Sequence, residues 1–134
     1  MKEIETIKDK NQNIVAIIIL NNFSSKETNF FTPNDFPQQL AQIQRFKGEV
    51  IKAHTHKPID VNITKTQETL FIKRGKVKVD LYDNERDLIT SKILESGDVI
   101  LLASGGHKFE ALEDFEMIEV KQGPYLGDEY KTKL

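Results

Sequence analysis

The chain has 134 residues, of which 38% are hydrophobic and 30% charged, with a formal net charge of −2; this is the size and balance of one globular domain. It contains no cysteine, which excludes disulfides, thiolate metal centres and cysteine nucleophiles and fits a reducing compartment. A charge this close to neutral leaves no basic footprint for nucleic acid.

A membrane-spanning helix needs roughly 20 apolar residues, and the longest apolar run, Ile14 to Leu20, is far shorter. The opening Met1-Lys2-Glu3-Ile4-Glu5 carries acids where a signal peptide would be basic and then apolar. No linker composition or repeat interrupts the chain. One domain over 1–134, free of membrane and cytoplasmic, is the expectation.

In chain order, Asn13 to Leu20 is dense in β-branched residues and stops at Asn21-Asn22, a strand followed by a turn. Residues 21–38 read as an irregular loop, punctuated by Ser24-Ser25, Thr32-Pro33-Asn34-Asp35 and Phe36-Pro37. Its phenylalanines (Phe23, Phe30, Phe31, Phe36) suit a loop packed onto the body. Further strands are expected over Gln39–Arg45, Glu49–His56, Thr69–Arg74, Lys76–Tyr82, Leu88–Leu94, Val99–Leu102, His107–Leu112 and Phe115–Lys121. Many short strands separated by turns indicate an all-β sandwich or barrel.

Chemistry concentrates in His54-Thr55-His56. On a strand, residues i and i+2 face one side roughly 6.5–7 Å apart, and two imidazoles so placed can reach one ion. The bland alternative is two exposed strand histidines.

Around this pair the sequence resembles the cupin superfamily, whose first motif reads G-x5-H-x-H-x3-4-E-x6-G. Here Gly48 is followed by five residues and His54-Thr55-His56, and Glu68 by six residues and Gly75, with a longer spacer between His56 and Glu68. The third ligand is Glu68 or its neighbour Gln67, and the spacing to Gly75 favours Glu68. The second motif, G-x5-P-x-G-x2-H-x3-N, is similar to Gly97-Asp98-Val99-Ile100-Leu101-Leu102-Ala103-Ser104-Gly105-Gly106-His107. Ala103 stands for the proline, His107 comes one residue early and Ala111 replaces the asparagine. All three histidines of the chain fall at or beside ligand positions.

The resemblance implies a cupin jelly-roll β-barrel (a double-stranded β-helix), with motifs at 48–75 and 97–111. It also implies one divalent transition metal, Mn, Fe, Ni or Zn, on His54, His56, Glu68 and His107. The ending Glu119-Val120-Lys121-Gln122-Gly123-Pro124-Tyr125 resembles small single-domain cupins of the mannose-6-phosphate-isomerase-like group, which tend to accompany surface-polysaccharide genes.

Alternation extends the candidate site. If His54 and His56 face inward, so does Lys52; Lys52 and Gln67 are substrate-binding candidates. Met117, Glu119 and Lys121 share one face of the last strand, Ile118 and Val120 the other. Either Glu119 and Lys121 act as acid and base, or they form a solvated pair while Ile118 and Val120 fill the core. The expected activity is metal-assisted proton transfer, isomerisation or epimerisation, on a sugar, sugar phosphate or nucleotide sugar, with the ion as Lewis acid. A non-catalytic sugar-binding cupin and an Fe(II) dioxygenase are the alternatives. Lys52 and Lys121 together would favour an anionic ligand. A homodimer is expected because the Ile14–Leu20 strand is apolar on both faces and asks for cover on both.

Overall fold

A computed structural model describes residues 3–134. The chain divides into two compact units, one made of Met1–Phe23 with Lys65–Leu134, the other of Ser24–Thr64.

The larger unit contains eight strands: β1 (Ile4–Lys8), β2 (Ile14–Ile19), β5 (Glu68–Arg74), β6 (Lys76–Tyr82), β7 (Leu88–Glu95), β8 (Val99–Leu102), β9 (Gly106–Ala111) and β10 (Glu116–Lys121). They form an antiparallel five-stranded sheet, ordered β1-β2-β8-β5-β10, and an antiparallel three-stranded sheet, β7-β6-β9. Among the described residues no strand pairing joins the two sheets into a closed barrel.

Period-2 patterning explains how the sheets meet. Val77, Val79 and Leu81 of β6 point into one apolar core together with Ala16 and Ile18 of β2, Leu70 and Ile72 of β5, Leu94 of β7 and Ile100 and Leu102 of β8. Burying a large aliphatic side chain contributes roughly 1.5–3 kcal/mol, so this shared layer dominates the unit's stability. The chain passes between sheets at tight corners. Gly75, at φ +90°, joins β5 to β6, and a Cβ there would run into the Asp114 carbonyl. Gly105, between β8 and β9 at φ +73°, is closed in the same way by the Tyr82 carbonyl. Only glycine meets both demands.

The strand expectations hold within a residue or two from Thr69 to the end of β10. β1 was not anticipated, although Ile4-Glu5-Thr6-Ile7-Lys8 carries an imperfect alternation. On β2, Val15 to Ile19 are buried on both faces within a single chain. That strand therefore does not require a second subunit for cover, and this reason for expecting a dimer falls away.

In the smaller unit, β3 (Asn29–Phe30) and β4 (Ala41–Gln42) form a minimal antiparallel pair. The loop between them is closed by Thr32, whose hydroxyl donates to Gln39 Oε1 at 2.8 Å and accepts from the Leu40 amide. The strand expected over Gln39–Arg45 shrinks to β4, and the strand expected over Glu49–His56 is absent. Residues 43–66 form no strand, since no neighbouring strand supplies ladder hydrogen bonds; the expected turn at Lys47-Gly48 is present, closed by the Glu49 amide donating to the Phe46 carbonyl at 3.0 Å. β-branched residues favour a pleated, half-covered surface but do not create one.

Candidate functional site

At one end of the larger unit's core the apolar layers give way to charge. Glu68 opens β5, paired across the ladder with Lys121 of β10 on one side and Leu102 of β8 on the other. Glu119 lies two residues before Lys121 on the same inward face, below which Met117 packs against the core. On the three-stranded sheet, His107 of β9 pairs with the core residue Leu81. The alternation of β10 is thus resolved: Glu119 and Lys121 face inward, while Ile118 and Val120 are exposed and do not fill the core.

These side chains meet. His107 Nε2 lies 3.8 Å from Glu68 Oε2, Lys121 Nζ lies 3.8 Å from Glu68 Oε1, and Lys121 Nζ lies 3.8 Å from Glu119 Oε1. The Glu68 side chain is only 14% exposed and that of His107 32%. Burial raises the carboxyl of Glu68 above its ordinary range; the charge of Glu119 adds to this and that of Lys121 opposes it. Burial lowers the imidazole of His107, with Lys131 and Lys121 helping and Glu119 opposing. Each group is therefore biased toward its neutral form, for the same reason: charge is costly out of water.

Two residues near the site were not among the candidates read from the sequence. Tyr125 places its ring 5.4 Å from Lys121 Nζ, a cation–π distance. Lys131, next to the 3-10 turn Asp128–Tyr130, acts electrostatically on both Glu68 and His107. Tyr125 closes the ending that resembles the small cupins but has no role from alternation, and Lys131 lies beyond it in a tail without periodicity.

Gln67 is buried, with its Nε2 donating to the Ala103 carbonyl at 3.5 Å. Its amide donates to Gln122 Oε1, and Gln122 Nε2 donates to the Lys65 carbonyl at 2.7 Å. It anchors the entry to β5, and it is Glu68 whose side chain approaches His107.

His54, His56 and Lys52 belong to the smaller unit and are exposed. Since no strand runs through them, the alternation that aimed Lys52 inward with the histidines no longer applies. The two rings are nevertheless neighbours, edge to face with centroids 5.3 Å apart. His54 Nδ1 sits 2.7 Å from the Lys52 carbonyl. A carbonyl only accepts, so a neutral His54 carries its hydrogen on Nδ1 and leaves the Nε2 lone pair outward, the disposition of a metal-ligating imidazole.

Donors on one ion at roughly 2.0–2.2 Å each stand at most about 4.4 Å apart, so the 3.8 Å between His107 Nε2 and Glu68 Oε2 is compatible with a shared ion. Among the described residues no three His, Asp or Glu side chains form a group able to hold a metal. No helix among them is long and apolar enough to cross a membrane. No protein-family model matches the chain, and no curated protein or solved structure matches it either.

Proposed function

We propose that the chain is a metal-binding protein of the cupin type that acts on a small anionic sugar, a sugar phosphate or nucleotide sugar, by isomerase- or epimerase-type proton transfer. One observation carries this reading. Four polar side chains singled out by motif and alternation, Glu68, His107, Glu119 and Lys121, meet at the end of an otherwise apolar core. Glu68 is the most enclosed of the four, its side chain 14% exposed, and partly desolvated charged groups beside an apolar core are costly unless they serve one another or a ligand. Two facing antiparallel sheets with crossings at Gly75 and Gly105 suit the jelly-roll topology that the sequence motifs suggest.

In this reading the ligand set is the one the motif resemblance implies, Glu68, His107, His54 and His56, and a divalent ion on it would supply Lewis-acid polarisation of a substrate carbonyl. The protein's own groups do the rest. Glu119, the more exposed carboxylate, accepts and returns the substrate proton. Lys121 faces the oxyanion that develops. The Lys121 ammonium, 3.8 Å from both Glu68 and Glu119, is the group that would face an anionic substituent of the ligand.

Elemental analysis of protein purified without chelator tests the metal. Wild type is expected to carry a transition metal that His54→Ala/His56→Ala and His107→Ala both lose while remaining folded; equal content in all three removes the site. A second reading, a non-catalytic carrier of the same ligand, is favoured by the double salt bridge that already holds Lys121. Turnover of sugar phosphates and nucleotide sugars by the metal-loaded protein separates the two.

A further inference from the structure

Among the described residues β10 and β9 are edge strands of the two sheets, and no ladder closes the seam between them, where Glu68, His107 and Lys121 meet. The opposite rim is bridged by Lys92 of β7 and Glu5 of β1, 2.7 Å apart. On the β10 side the chain runs on past Lys121, and the Tyr125 ring stays 5.4 Å from the Lys121 ammonium. It turns at Gly127, φ +83°, into Asp128–Tyr130, where the Lys131 amide donates to the Asp128 carbonyl at 2.9 Å. Leu134 then reaches the other sheet. Gly106 of β9 pairs with Tyr82, so it faces away from the core side that Leu81 and His107 share. A Cβ on Gly106 would stand 2.7 Å from Leu134 Cδ1 and 3.6 Å from Tyr82 Cβ. Gly106 is not among the residues at positive φ, so its backbone makes no demand for glycine. What the missing side chain supplies is a notch that Leu134 fills.

We propose that residues 122–134 are a strap across this seam, latched by Leu134 in the Gly106 notch, whose release opens the Glu68, His107 and Lys121 cluster to ligand. The admission of ligand rests on reading that cluster as the site; the strap and its latch do not. The hold is light. Leu134 is 61% and Tyr130 70% exposed, and Lys131 pairs within the strap itself, with Asp128 at 3.2 Å. Segments that bury so little open at small cost, and the lids that cover binding sites are built from them. The two fastenings differ in kind. Leu134 is held by apolar contact on the outer side of β9, away from the charged groups. Tyr125 is held by its cation–π distance to Lys121, and an anion that draws that ammonium away loosens the strap. Ligand and strap thus compete for one lysine.

The test uses the full chain after chelator treatment, with no sugar present. In wild type a nuclear Overhauser contact should join the Leu134 methyls to Gly106. Diethylpyrocarbonate, which modifies accessible neutral imidazoles, then reads the cover. The chain has three histidines, and His54 and His56, exposed in the smaller unit, serve as references within the same molecule. Peptide mapping should find His107 modified more slowly than either in wild type. Leu134→Ser and Gly106→Ala, which remove the latch from its two sides, should each speed His107 and leave the references unchanged. With its side chain 32% exposed, full opening amounts to a rise of about threefold. An unchanged far-UV spectrum verifies that each variant is folded; should one unfold, the other decides, and should both, the contact in wild type decides alone. Absence of that contact in wild type, or a His107 rate indifferent to both substitutions, overturns the strap. Since neither metal nor sugar takes part, that failure leaves the metal reading standing, and a protein that binds no metal leaves the strap standing.

Discussion

Lys121 is the residue on which the electrostatics of the candidate site turn. Its ammonium favours the ionised form of Glu68, against burial and the charge of Glu119. Lys121→Met should therefore raise the Glu68 carboxyl further, and Glu119→Gln should lower it; carboxyl titration by NMR reads both directions. Asp9 supplies a pH signature away from the site. Its carboxylate accepts from the Asn11 and Asn13 amides at 2.8 and 2.9 Å and from the Asn13 side chain, and these bonds hold it below the ordinary 3.8. A folded value lower than the unfolded one gives stability that is present above the unfolded value and lost as pH falls through the folded one. Thermal melts from neutral to strongly acid pH should show Asp9→Asn less stable than wild type at neutral pH, with the gap closing as acid protonates Asp9.

Among the elements, the corners matter as much as the strands. Gly75 turns the chain from the five-stranded sheet into the three-stranded one with backbone that other residues avoid and no room for a Cβ. Gly75→Ala should destabilise the fold by at least about 1–3 kcal/mol, the cost of such backbone strain, and urea titration measures it directly. The β7–β8 turn is held differently. Asp98 is buried and accepts from the Asn21 amide at 2.8 Å and the Glu95 amide at 2.7 Å, which ties this turn to the end of β2. β6 shows why its sequence was so readable: Val77, Val79 and Leu81 reach zero exposure while Lys76 and Lys78 pair with Glu95, Glu113 and Glu110 at the surface.

For the molecule as a whole, local pattern determined most of what local pattern can. Strands whose alternation matches a core face, β6 above all, and the glycines at the corners were legible from the chain because side-chain direction and positive φ are local properties. Glu68, Glu119, Lys121 and His107 were named from motif and alternation, and the structure brings these four side chains together. Tertiary structure decided the rest. Whether Glu119 or Val120 faces inward depends on which side of β10 meets the second sheet, a matter of register and not of residue type. β2 is covered on both faces within one chain, which its own composition could not reveal. Tyr125 and Lys131 reach the site through a tail with no periodicity. Glu49–His56 has the composition of a strand and is none, because strand formation is a pairing event, and whether a partner strand lies alongside is not written in the residues of the strand itself.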